Sequence, residues 1–81
     1  MTWTVVLEPR ALDGLRRLRL LDPVGAKTCT AAIRALADEP RPEGAFPLGE
    51  SGYYRLAVGT WRVLYQVDED ALFVLNIGRA S

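Results

Sequence analysis

Two hydrophobic periods run along this chain, one helical and one of strands. Residues 3–8 (WTVVLE) are apolar and β-branched, which predicts a strand. Glu8-Pro9 ends it, and Pro9 suits the first turn of a helix. Ala11, Leu12, Leu15 and Leu18 then recur at helical spacing, with Arg10, Arg16, Arg17 and Arg19 mostly on the other side. Gly14 weakens that helix by about 1 kcal/mol relative to alanine. Asp22-Pro23 is a restart, a capping aspartate before proline at the first helical position. Residues 23–38 carry Ala26, Cys29, Ile33, Leu36 and Ala37 on one stripe. The two helices therefore form a hairpin that turns near Leu21–Pro23. Residues 39–52 hold three of the five prolines and three glycines, and are expected to be a surface loop.

From Tyr53 onward the period is two, and the pattern predicts a three-strand meander. Gly59-Thr60 fits a two-residue type II′ turn, pairing Val58 with Trp61, Leu56 with Val63 and Tyr54 with Tyr65 on one face. The opposite face then shows Tyr53, Arg55, Ala57, Arg62, Leu64 and Gln66. A slip of one residue would bury both arginines and expose the aromatics, so this register is strongly specified. At Asp68-Glu69-Asp70 a three-residue loop is expected, pairing Tyr65 with Phe73 and Val63 with Leu75. That register puts Leu72, Val74 and Asn76 on the open face. A two-residue loop would drive Asn76 into the core. A face half apolar and half arginine is unusual for a monomer to leave bare.

The fold class implied is α+β in the order β-α-α-β-β-β, with a two-helix hairpin packed on one face of a small, mainly antiparallel sheet. At 81 residues the expectation is a single domain over 1–81, near the lower size limit for one core. A lone cysteine excludes an intrachain disulfide. No charged-then-apolar leader precedes Trp3, and no apolar run approaches the roughly 18 residues of a membrane span. A soluble, cytoplasmic protein without membrane contact is expected.

Charge argues against a simple nucleic-acid binder. Ten basic and ten acidic residues cancel, and the pI is about 6.2, whereas phosphate contacts call for a basic excess. The distribution is less even. Residues 1–41 hold seven basic and five acidic side chains, and residues 42–81 three and five. The three late arginines lie on the strands and the late acids in the loops. Arg16, Arg17 and Arg19 read as a solvated helix face, and Asp68–Asp70 as a charged turn without a metal. Cys29 reads as a buried structural thiol, and Trp61 and Tyr65 as core. Arg55 and Arg62 fit either a solvated face, their stems covering Leu64, or an anion site.

The run from Tyr54 to Val67 (YRLAVGTWRVLYQV), followed by Ile77-Gly78-Arg79, resembles the conserved sheet of the RelE/ParE toxin superfamily, closer to its RelE-like branch. The amino-terminal strand, Ala11 with Leu15 and Leu18, and Leu48-Gly49 match as well, so the resemblance spans nearly the whole chain. It implies the RelE-like fold and the toxin of a type II toxin–antitoxin module. RelE-like members cut messenger RNA on the ribosome, and ParE-like members inhibit DNA gyrase. It further implies a small cognate RelB-like antitoxin as partner, contact with ribosome and mRNA if the protein is a nuclease, and operator DNA reached only through the antitoxin. Neither a cofactor nor a metal is implied.

RelE-type cleavage deprotonates an RNA 2′-hydroxyl, stabilises charge at phosphorus and protonates the leaving oxygen. By the resemblance, Arg55 takes the place of a basic residue on the first meander strand. Arg62 takes that of the central phosphate-binding arginine, and Arg79 that of the basic residue after the last strand. The chain departs from the pattern at Ala57, where a second basic residue is common. It runs to Ser81, two residues past Arg79, without the tail tyrosine or histidine of the family, and contains no histidine. Tyr53 is the expected stand-in, although an ordinary tyrosine near pKa ~10 is a poor base at neutral pH. Three readings stay open: a ribosome-assisted nuclease, a gyrase-type or other non-nuclease toxin, and a degenerate toxin retaining antitoxin binding and operon control.

Overall fold

A computed structural model describes residues 2–80; Met1 and Ser81, the bounds expected of the domain, lie outside the described residues. The element order is β1 (Thr4–Leu7), α1 (Pro9–Leu21), α2 (Pro23–Ala35), β2 (Ala45–Pro47), β3 (Tyr53–Val58), β4 (Trp61–Asp68) and β5 (Ala71–Arg79). The strands form one sheet in the order β1-β5-β4-β3-β2. β1 runs parallel to β5, and the other pairs are antiparallel. The α+β class and the helical hairpin are as the periodicity predicts.

The helices begin and end where the local chemistry directs. Asp22 alone joins them. Its N–H donates to Leu18 O (2.7 Å) and closes α1, while its carboxylate accepts from Gly25 N (3.0 Å) and caps α2. Pro9 and Pro23 occupy first turns, where no N–H is needed. α2 ends at Ala35, three residues earlier than the stripe suggests. The chain tightens there, with Leu36 N donating to Ile33 O and Ala37 N to Arg34 O (both 3.1 Å), and Leu36 is fully buried.

The apolar faces of both helices meet one face of the sheet. Ala11, Leu15, Leu18, Ala26, Cys29, Ile33 and Leu36 pack with Leu56, Val58, Val63, Tyr65, Leu72, Val74 and Ile77 in one core. Gly14 has a packing reason: a Cβ there would stand 3.1 Å from Ile77 O, so the glycine lets α1 lie close on β5. Tyr65 is wholly buried and donates its hydroxyl to Pro40 O at 2.7 Å. Its ring stacks on Tyr54, centroids 5.6 Å apart. Burial pushes the Tyr65 hydroxyl up to about 12.

Two expectations are corrected. The proline-rich segment 39–52 is not all loop, because Ala45–Pro47 pairs with Tyr54–Leu56 as an edge strand. Pro47 is tolerated there, since an edge leaves one side without ladder bonds. The second correction is the β4–β5 connection. It has two residues, Glu69 and Asp70, and pairs Asp68 with Ala71, Val67 with Leu72 and Tyr65 with Val74. Leu72 and Val74 are therefore fully buried, not on the open face. Asn76 nevertheless reaches the open face, opposite Leu64, because a bulge between Val74 and Asn76 inserts Leu75 as an extra residue and restores the phase. Glu69 adopts φ +55°, a left-handed conformation that costs a non-glycine residue roughly 1–2 kcal/mol. Neighbours hold the turn in place: the Trp3 indole N–H donates to Glu69 O (3.0 Å) and Thr4 N to Asp70 O (3.0 Å).

The two registers make opposite predictions about stability. Val74→Ala should cost about 2 kcal/mol, as for truncation in a close-packed core, and Leu75→Ala under about 1 kcal/mol. Urea denaturation of both variants checks the order, which the three-residue loop would reverse.

Candidate functional site

The sheet face away from the helices is laid out in rows. One row crosses four strands as Phe46, Arg55, Leu64 and Asn76, and the next runs Ala57, Arg62, Gly78. Arg55 and Arg62 are thus diagonal neighbours on adjacent strands, within reach of each other's long side chains. Arg62 rises between two small residues. A Cβ at Gly78 would meet nothing within 4 Å, so the floor beside Arg62 is open. The result is a groove of about 530 Å³ lined by Arg55, Arg62 and Arg79 with Leu48, Leu64 and Asn76. Among the described residues no carboxylate lines it. In a chain of zero net charge, the two guanidinium groups of Arg55 and Arg62 on one face concentrate positive potential locally.

The Arg62 guanidinium is fixed in place. Nη1 donates to Gly59 O and to Trp61 O, both at 2.9 Å. The β3–β4 turn supplies those carbonyls, and it is tight because Gly59 takes φ +59°, as the first central position of a type II′ turn requires. With Nη1 spent on the backbone, Nε and Nη2 remain to face an anion as a planar fork. Arg55 is exposed by comparison.

Arg79 is held differently. Its guanidinium lies over the Trp61 ring, 5.9 Å from the centroid, within cation–π range. The Trp61 indole N–H donates to the Asp22 carboxylate at 3.1 Å. Asp22 is held below its ordinary 3.8, first by the Gly25 N–H, then by the Trp61 N–H, with the Arg79 charge adding to both against some desolvation. Trp61 is therefore only half buried and faces the helix corner with a polar role of its own.

Of the residues singled out from sequence, Arg55 and Arg62 share the open face at diagonal positions, whereas Arg79 borders the same groove but stands opposite Trp61, so its side chain leaves the sheet on the helix side, and Tyr53 stands apart. Tyr53 pairs with Gln66, in the row on the far side of Arg55 from Arg62, two rows of roughly 7 Å from Arg62. It is not among the groove-lining residues. The sequence missed one neighbour of the site and one contact away from it. Phe46, directly opposite Arg55, is 59% exposed; only recognition of β2 would have found it. Arg41 donates Nε–H to Tyr54 OH (2.8 Å), with its guanidinium 5.5 Å from that ring. That contact braces the segment before β2 and lies outside the groove. Cys29 is fully buried, and burial followed by the Asp22 charge pushes its thiol up, the opposite of what a nucleophile needs. Arg16 pairs only with Asp13 on the exposed face of α1, at 3.6 Å, a surface contact of little energetic weight.

Comparison with known proteins follows the same lines. Residues 5–81 match the family model of the ParE toxin of type II toxin–antitoxin system, parDE. No curated protein sequence matches the chain. Among solved structures, the fold is similar to that of the archaeal RelE–RelB complex from Pyrococcus horikoshii OT3, at TM-score 0.84 and 22% identity over 98% of this chain and 96% of that one. The RelBE2 toxin–antitoxin complex from Mycobacterium tuberculosis gives TM-score 0.81 and 23% identity over 98% and 99%. A mutant of the E. coli toxin RelE in the free state gives 0.81 and 22% over 98% and 84%. At these identities the structures establish the fold. Among the described residues, no helix is long and apolar enough to cross a membrane.

The lowered Asp22 value fixes a sign. A carboxylate held lower in the folded protein adds stability above its ordinary value, and that stability is lost as pH falls through the folded one. The thermal midpoint should therefore drop more steeply below roughly pH 4 in the native protein than in Asp22→Ala, the two curves converging at low pH. Thermal melts across that range check this.

Proposed function

Since the chain belongs to the ParE toxin family of type II toxin–antitoxin systems, we propose that it is the toxin of such a module and acts as a RelE-like, ribosome-dependent mRNA endoribonuclease. The observation that carries this reading is the groove on the open sheet face that holds Arg55 and Arg62 side by side, with no acid among its described lining residues. An RNA phosphate seated there would meet the free Nε and Nη2 of Arg62, with Arg55 beside it. Phosphoryl charge grows as the 2′-oxygen attacks, and preorganised guanidinium groups stabilise that charge more than the ground state. Arg62 is suited to this because its fork is already fixed by Gly59 O and Trp61 O and need not be ordered during the reaction. Phe46, exposed opposite Arg55, offers a ring face for an unpaired base.

The chain's own share is binding and charge stabilisation. Among the described residues the groove lining includes no carboxylate, histidine or tyrosine to move a proton, so in this reading the proton transfers fall to solvent or to the ribosomal surroundings. The same observation favours a second reading: a toxin that binds without cutting, a gyrase inhibitor among the possibilities, in which the arginine face is a docking surface.

A small antitoxin is the partner this reading requires. Several similar folds were solved as toxin–antitoxin complexes, among them RelE with RelB and YoeB with YefM. An apolar groove of about 410 Å³ between β1, α1 and α2, with Arg19 and Arg34 among its lining residues, suits an amphipathic segment carrying acidic residues. Cytoplasmic action on mRNA belongs to the same proposal.

Expression without antitoxin, followed by mapping of transcript 5′ ends, decides between the readings. Cleavage of ribosome-bound mRNA is expected. Arg62→Ala should lower it by about 100-fold or more, the usual loss for a preorganised charge-stabilising donor, with its thermal midpoint little changed. Growth arrest with intact transcripts would point to the non-cleaving reading, and a supercoiling assay then tests gyrase.

A further inference from the structure

Gly78 is the one glycine that the fold itself does not explain. Four others adopt positive φ, and Gly14 and Gly25 lie where a Cβ would press on Ile77 O and on the Asp22 carboxylate. Gly78 has neither reason. It sits inside β5, paired with Arg62, without a positive φ. A Cβ there would meet nothing within 4 Å, so even the Arg62 side chain beside it does not require the space. Glycine inside a strand packs nothing and weakens the strand. It marks a place where a ligand or another backbone comes close, and no part of this chain does so on that side.

The position of Gly78 says what could. It faces the open side of the sheet with Arg62. Asn76, two residues earlier on β5, faces the same way opposite Leu64 and is exposed. Both line the arginine groove. Arg62 therefore has unlike neighbours on its two sides. Toward β3 stands Arg55 and, one strand further, Phe46. Toward β5 lie the bare backbone of Gly78 and the amide of Asn76. Phe46 and Asn76 end one row, three strand spacings or roughly 14 Å apart, which accommodates two bases splayed on either side of one phosphate.

We infer that Gly78 and Asn76 form a base subsite beside the phosphate position, selective for adenine. The base lies flat on the Gly78 backbone, in the space a side chain would fill, and turns its edge to the Asn76 amide. That amide presents one acceptor and one donor side by side, matching the amino group and N7 of adenine. Guanine presents two acceptors on the same edge and leaves one end of the amide unmatched. Phe46 on the other flank offers only stacking, which every base accepts. Base identity is thus read on the β5 side of the phosphate alone. This inference rests on the arginine groove being the phosphate site of the proposed function.

The probes are the dinucleotides ApA, ApU, UpA and UpU, made non-cleavable by a 2′-deoxy sugar on the first residue, with inorganic phosphate as control. Each is titrated into ¹⁵N-labelled full-length protein while the Gly78 backbone and Asn76 side-chain amides are followed. ApA and just one of the two mixed dinucleotides should bind about fivefold or more tighter than UpU, the low end of what one specific base contact gives. Guanine in place of that adenine should lose the advantage. Asn76→Ala should bring all four to the UpU level. Gly78→Ala should weaken the adenine dinucleotides by a similar factor, leave the affinity for inorganic phosphate as it was, and melt no lower than the native protein. A Gly78→Ala variant that melts lower would show a packing role and overturn the inference. So would equal affinity for the four dinucleotides, an equal gain in ApU and UpA, or an adenine preference that survives both substitutions. The readings it rests on fail separately. Phosphate affinity that Arg62→Ala leaves unchanged would remove the anion site and this subsite with it. Adenine selectivity with intact transcripts contradicts only the nuclease, and cleavage without that selectivity contradicts only this inference.

Discussion

The pairing of β4 with its two neighbours governs every address on this molecule. On one side, the turn at Gly59-Thr60 sets Leu56 against Val63 and Tyr54 against Tyr65. On the other, the turn at Glu69-Asp70 sets Tyr65 against Val74. Side chains alternate strictly, so a slip on either side would exchange the core for the open face. Tyr65 locks the arrangement from within: it is fully buried, donates to Pro40 O and stacks on Tyr54. The arginine groove is the outer face of the same register.

Much of this was legible in the sequence, and the parts that were not have physical reasons. The β3–β4 hairpin could be read because Gly59 marks a positive-φ turn and the flanking residues alternate between apolar and charged. The β4–β5 hairpin offered neither cue. Glu69 takes a left-handed conformation usually left to glycine or asparagine, and it is stabilised by Trp3 and Thr4 from the other end of the chain. Along Ala71–Leu75 every residue is apolar, so both phases look equally good from the pattern. Asn76 suggested the three-residue loop, and the bulge at Leu75 reaches the same outward asparagine by another route. β2 was hidden for a simpler reason: three residues ending in proline carry no strand periodicity.

The site divides in the same way. Arg55 and Arg62 could be placed on one face from local geometry, and the structure keeps them there, while Arg79, opposite Trp61, leaves the sheet on the helix side. Tyr53 shares that face but stands outside the groove. Asp22 was recognisable as a cap, yet nothing local in the sequence links it to Trp61, 39 residues away. Phe46 had no address until β2 was known. The completed picture is a groove with one arginine fastened to the backbone and another exposed beside it, and the proposed reading gives it the RNA phosphate and leaves the proton transfers to its surroundings.

That the arginine face of the sheet is the nucleic-acid site can be measured directly. A short single-stranded RNA made non-cleavable by a 2′-deoxy substitution, titrated into labelled protein, should shift the side-chain signals of Arg55, Arg62 and Asn76 together with the Phe46 ring. Shifts confined to Arg16, Arg17 and Arg19 on α1, with the sheet face unmoved, would contradict the account.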